Sequence, residues 1–169
     1  EGLIIERDVL AFTPAAAREE TVIPFDGMRK AISTNMMRSL TTMAQANHRM
    51  KVDMTESVRF RNKLKEAGIK VSYTDILIKA VTQALLQFPM MNANADAEKI
   101  VCKHFVNMGV AVAVEKGLLV PNIKNAEKLS VAQIHDQVAS LAQKAREGKL
   151  TPAEYSNGTF TITNLGMYE

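Results

Sequence analysis

The 169 residues carry 21 Lys and Arg against 18 Asp and Glu, a formal charge of +3, with 47% hydrophobic and 5% aromatic content. That length supports one domain with a substantial core and is short for two, and scattered charges without a basic, aromatic-interleaved run argue against nucleic-acid binding. A lone cysteine, Cys102, excludes an intrachain disulfide and fits a reducing, cytoplasmic setting, and no apolar run approaches the roughly 18 residues of a bilayer span, so no membrane partner is expected.

Residues 2–11 read as a tight turn feeding a short helix, too small to fold alone. Thr13-Pro14-Ala15-Ala16-Ala17-Arg18-Glu19-Glu20 reads as a linker, since Pro14 breaks the helix and nothing in the run must pack. Asp26 can cap a helix whose Met28, Ile32, Met36, Leu40 and Met43 form one stripe facing a core or a partner. Met50, Val52 and Met54 alternate with Arg49, Lys51 and Asp53, which predicts a strand with one buried face. Thr55 can cap the next helix, ending near Gly68.

Ser72-x-x-Asp75 is a capping box with Asp in place of the usual Glu, and opens a helix carrying Ile76, Ala80, Ala84, Leu85 and Phe88 that Pro89 stops. Short apolar runs follow at 100–102, 105–114 and 118–123, the last two joined at Glu115-Lys116-Gly117. The near-continuous apolar character of 110–114 implies a strand covered on both faces. Ser130-x-x-Gln133 is a full capping box for a helix with Ile134, Val138, Leu141 and Ala145 on one side, and Gly148 is placed to end it. Thr151-Pro152 starts a single helical turn, after which Phe160 and Ile162 point one way from a strand and Thr159, Thr161 and Thr163 the other. Helices and strands interleaved in this order give an α/β (α+β) arrangement with helices packed on a sheet.

Generic catalytic motifs are absent: there is no Gly-rich phosphate loop, Gly-x-Ser-x-Gly elbow, Cys-x-x-Cys pair or His-Glu-x-x-His, and no metal site is expected. His48 and His104 stand at predicted strand starts, and His135 reads as a solvated helix residue beside Asp136. Cys102 reads as a small buried hydrophobe on a strand.

Four segments stand out together: Gly109-Val110-Ala111-Val112-Ala113-Val114, Glu115-Lys116-Gly117-Leu118-Leu119-Val120-Pro121, Ala145-Arg146-Glu147-Gly148-Lys149-Leu150 and Gly158-Thr159-Phe160-Thr161-Ile162-Thr163-Asn164-Leu165-Gly166. They resemble the catalytic domain of the dihydrolipoamide acyltransferases, the core components of 2-oxo acid dehydrogenase complexes. The resemblance implies a chloramphenicol-acetyltransferase-like two-layer fold with a mixed sheet and packed helices, in which three subunits meet and each active site lies between neighbours. It also implies that residues 1–12 end a peripheral-subunit-binding domain, 13–21 form the linker and 22–169 the acyltransferase domain. The implied activity moves an acyl group, by preference acetyl, between a dihydrolipoyl arm carried on a separate lipoyl domain and coenzyme A. The implied partners are further copies, as a homotrimer in a larger core, together with the decarboxylase and dihydrolipoamide dehydrogenase components.

Residue by residue, the resemblance carries the oxyanion-stabilising hydroxyl of the family's Thr-Ile-(Ser/Thr) segment onto Thr163. It makes Arg29, in Arg29-Lys30-Ala31-Ile32-Ser33, a candidate coenzyme A contact, whereas Ser72 reads first as a helix cap. Asn157-Gly158 stands where relatives often have Gly-Gly, and Asn can adopt the second backbone conformation at modest cost. The family's general base lies in His-x-x-x-Asp-Gly, a spacing that His48, His104 and His135 do not share. The sequence as given is therefore expected to lack its base and to be inactive alone. The alternative expectation is a non-catalytic scaffold or interaction core of such a complex.

Overall fold

The computed structural model describes residues 20–166 apart from Ala97 and Lys116. The binding-domain and linker segments expected at 1–12 and 13–21 lie outside the described residues, except Glu20 and Thr21, which carry no regular structure. The described helices are α1 (Gly27–Thr42), α2 (Thr55–Glu66), α3 (Tyr73–Gln87), α4 (Val131–Arg146) and the single turn α5 (Pro152–Tyr155). The strands are β1 (Ala93–Ala95), β2 (Ile100–Cys102), β3 (Met108–Val110), β4 (Val112–Val114), β5 (Gly117–Leu119), β6 (Asn122–Ile123) and β7 (Phe160–Ile162).

β3 is the centre of a mixed three-stranded sheet, antiparallel to β6 and parallel to β7. Its register sorts side chains by face, because alternate residues of a strand point oppositely. Met108 lies opposite Ile123 and Phe160, and Val110 opposite Ile162, so one face is apolar throughout. Ile78 and Leu85 of α3 and Ile134 and Leu141 of α4 cover that face and complete the core. On the other face Gly109 sits between Asn122 and Thr161. A Cβ there would lie 2.9 Å from both Thr161 Oγ1 and Val120 Cγ1, so only glycine lets these neighbours close over the strand. The result is two layers, helices on a sheet, as the sequence implied.

Both long capped helices begin as expected. Ser72 Oγ accepts the Asp75 N–H at 3.2 Å while the Asp75 carboxylate accepts the Ser72 N–H at 2.6 Å. The Ser130–Gln133 box has the same reciprocal form. On α4 the expected face is the buried one, with Ile134, Leu141 and Ala145 in the core and Val138 packed against it. α3 is rotated from its expected orientation. Asp75, Ile78, Thr82 and Leu85 are buried, whereas Ala80, Ala84 and Phe88 face outward, because two polar residues are drawn into the inner face.

Three other expectations are corrected. Residues 49–54 form no strand among the described residues, and Met50 and Val52 are exposed, since alternation alone supplies no hydrogen-bonded neighbour. α2 is capped at Met54 rather than by Thr55, with Asp53 accepting the Thr55 N–H at 2.9 Å and its hydroxyl at 2.6 Å. The run 105–114 is two strands, because Val110 pairs with Ile162 while Val112 turns to pair with Leu119 in the β4–β5 hairpin. α1 buries no residue: Met28 and Ile32 reach the hairpin tip at Gly117, but Met36 and Leu40 are 56% and 65% exposed.

The rotated α3 and the α4 core face give a direct stability test. Ile134→Ala should lower unfolding free energy by about 2–5 kcal/mol, the usual loss for a fully buried branched residue. Ala84→Gln should stay within about 0.5 kcal/mol because that position faces outward. Denaturant titrations of both variants check this, and a large loss at Ala84 would restore the orientation expected from hydrophobicity alone.

Candidate functional site

Thr163 follows β7 directly, is exposed and lines a cleft of about 330 Å³. The cleft has apolar walls from Val110, Val112, Leu118, Val138 and Ala142, and a polar margin of Ser72, Thr74, Arg146 and Asn164. The strand that delivers Thr163 is fixed at both ends. Ahead of it, Asn157 adopts φ +58°, the left-handed conformation anticipated for this turn, and the buried Asn107 donates through Nδ2 to the Asn157 carbonyl at 2.8 Å. Thr159 N–H donates to the Asn107 carbonyl at 2.9 Å. Behind it, the Ile162 carbonyl accepts the Ala111 N–H at 3.1 Å, and Asn164 Nδ2 donates to Thr74 Oγ1 at 2.9 Å.

The approach to β7 is set further by α5. Thr151 and Glu154 form its capping box, and Lys144 of α4 donates to Glu154 at 2.6 Å. That Lys144 bond, followed by the Thr151 N–H and hydroxyl, holds the Glu154 carboxyl at about 2.

A second cleft of about 460 Å³ abuts the first, and Ser72 lines both. Arg61, Lys65, Lys70 and His135 line it, and no carboxylate does. Arg61 is oriented by an Nε–H bond to the Val71 carbonyl at 3.1 Å and lies 4.9 Å over the Tyr73 ring. His135 is not the solvated residue expected from sequence. Its Nδ1 lies 2.8 Å from Asp75 Oδ2 and, since a carboxylate only accepts, carries the proton. Asp75 is fully buried, and its Oδ1 has no hydrogen-bond partner among the described residues.

The expected site residues fall in two places. Thr163 and Ser72 share a cleft, whereas Arg29 lines a separate one with Asp26 and Glu115. Thr161 packs against Gly109 and is absent from the Thr163 cleft. His48 and His104 are exposed and outside both clefts, and half-buried Cys102 lies on β2 with Sγ 3.7 Å from Met90 Sδ. Among the described residues no three His, Cys, Asp or Glu side chains gather for a metal, and no helix is long and apolar enough to cross a membrane. Sequence reading missed the basic cleft and the Thr74–Asn164 bond. The cleft's four basic members are spread over the 75 positions from Arg61 to His135 and only folding brings them together, and the bond spans 90 positions.

The exposed Thr163 hydroxyl thus lines an apolar cleft that shares Ser72 with a basic recess, on a two-layer fold. The chain belongs to the family described as 2-oxoacid dehydrogenases acyltransferase (catalytic domain), which matches residues 17–169. It is 41% identical over 160 residues to the lipoamide acyltransferase component of the branched-chain alpha-keto acid dehydrogenase complex of Bacillus subtilis, covering 92% of this chain and 38% of that protein. It is 42% identical over 164 residues to the dihydrolipoyllysine-residue acetyltransferase component of the pyruvate dehydrogenase complex of the same organism, covering 92% and 37%. A crystal structure of a probable dihydrolipoamide acetyltransferase from Listeria monocytogenes superposes with a TM-score of 0.83 at 38% identity, covering 90% of this chain and 67% of that one. The chain thus spans under two fifths of the length of these two Bacillus relatives.

The Glu154 bonds give a pH test. Because the folded carboxyl lies below its ordinary 4.5, its contribution to stability is present above that value and is lost as pH falls through about 2. A carboxyl NMR titration should find the Glu154 midpoint near 2 and an upward shift toward 4.5 in Lys144→Met. A parent midpoint at the ordinary value would contradict the geometry.

Proposed function

We propose that this chain is the acyl-transfer domain of the core component of a 2-oxo acid dehydrogenase complex, moving an acetyl group between a dihydrolipoyl arm on a separate domain and coenzyme A. The observation that carries the reading is the junction of the two clefts at Ser72. Coenzyme A is a phosphorylated head on a slender arm ending in a thiol. The recess of Arg61, Lys65 and Lys70 suits the head, since clustered cations without an opposing carboxylate favour phosphate. The apolar cleft suits the arm. Arg29 is the rival anchor for the phosphates; Glu115 in the same cleft makes it the weaker one.

In the reaction a thiol proton is removed, the thiolate adds to the thioester carbonyl, and the carbonyl oxygen takes the charge until the other thiolate leaves. Thr163 supplies the hydroxyl that donates to that oxygen. The resemblance assigns the proton acceptor to the histidine of the family's His-x-x-x-Asp-Gly motif, and among the described residues no histidine lines the Thr163 cleft. The exposed Met36 and Leu40 of α1 are assigned to contacts between copies in a trimer, and the larger core would engage the decarboxylase and dihydrolipoamide dehydrogenase components.

In the full-length protein, Thr163→Ala should lower kcat by about 10² to 10³ with little change in KM for coenzyme A, and Thr163→Ser should keep most activity. Lys65→Ala with Lys70→Ala should raise that KM about tenfold with kcat retained, the effect of losing charge-assisted bonds. Steady-state kinetics with acetyl-coenzyme A and dihydrolipoamide decide. Parent-like turnover in Thr163→Ala removes the oxyanion role, and a raised KM in Arg29→Ala but not in the lysine variant moves the phosphates to α1.

A further inference from the structure

The ladder between β3 and β7 stops at Ile162, opposite Val110, so Thr163 is the first residue beyond the paired strand. The next fixed point is the side chain of Asn164. Its Oδ1 accepts the Gly166 N–H at 2.9 Å, and because that group can only donate, Nδ2 is left to face Thr74 Oγ1 at 2.9 Å. Thr163 is thus held between a backbone bond on one side and a side-chain bond on the other. Thr74 is itself well placed as an anchor: it lies in the first turn of α3, two residues after the cap Ser72 and one before the buried Asp75 that His135 clasps.

Resting on the acyl-transfer reading of Thr163, we propose that Thr74 is a positioning residue: by accepting the Asn164 amide N–H it sets the chain direction at Thr163 and so aims the Thr163 hydroxyl into the cleft. Thr74 also lines the cleft, but the effect proposed here passes through Asn164. A neutral bond between partly exposed groups adds little to folding stability, whereas a misplaced catalytic group loses rate steeply, so the two roles separate cleanly in experiment.

The test is a double-mutant cycle in the full-length protein. Thr74→Val keeps the shape and removes the acceptor; it should lower kcat about tenfold, leave KM for coenzyme A within about twofold and leave the melting temperature unchanged. Thr74→Ser should return kcat to within about twofold of the parent. In a Thr163→Ala background Thr74→Val should cost nothing further, because there is no hydroxyl left to aim. Parent-like kcat in Thr74→Val, or the same fold loss in both backgrounds, overturns the tie. A full loss in Thr163→Ala with a silent Thr74→Val overturns the tie alone, whereas a parent-like Thr163→Ala overturns the oxyanion reading and the tie with it.

Discussion

The carboxylate of Asp75, fully removed from solvent, ties together the parts on which the site depends. Its Oδ2 accepts from the Ser72 N–H, the Ser72 hydroxyl and His135 Nδ1, so one oxygen caps α3 and holds α4 beside it. Burying a carboxylate is costly unless it is met by donors, and here three converge. Ser72, the residue common to both clefts, is therefore fixed twice over. Lys79 adds a second staple between the same regions, donating to the Glu127 and Leu129 carbonyls just ahead of α4.

With α3 and α4 locked side by side, the sheet beneath dictates where the cleft opens. β3 is buried along its whole length and offers its apolar face to the helices, which leaves the chain to leave that sheet at Ala111 and build the β4–β5 hairpin as the cleft's far wall. β7 runs parallel to β3 and stops where this departure begins. Thr163 consequently emerges just beyond the paired strand, where it lines the cleft. The exit point is a consequence of strand pairing, and the Asn164–Thr74 bond follows directly after it.

Local chemistry made much of this legible. The reciprocal Ser–Asp and Ser–Gln boxes marked the starts of α3 and α4, the Thr151–Pro152 turn marked α5, and a period near 3.6 identified the buried face of α4. What sequence missed is non-local. The orientation of α3 depends on Asp75 and Thr82 being buried, which a hydrophobicity pattern rejects, and one of the three donors that meet Asp75, His135, arrives from 60 residues away. The split of 105–114 depends on two different partner strands, and the alternation at 49–54 finds none among the described residues. Thr163 was reached through family resemblance and lies in the apolar cleft; the basic recess had no linear signature at all.

The central claim is that the two clefts meeting at Ser72 form one channel for a phosphorylated thiol carrier. A crystal structure of the full-length protein with coenzyme A bound tests it most directly. The account predicts phosphate groups within hydrogen-bond reach of Lys65 and Lys70, the arm passing Ser72, and the sulfur beside the Thr163 hydroxyl. Phosphates bound at Arg29, with the Lys65 and Lys70 recess empty, would contradict it.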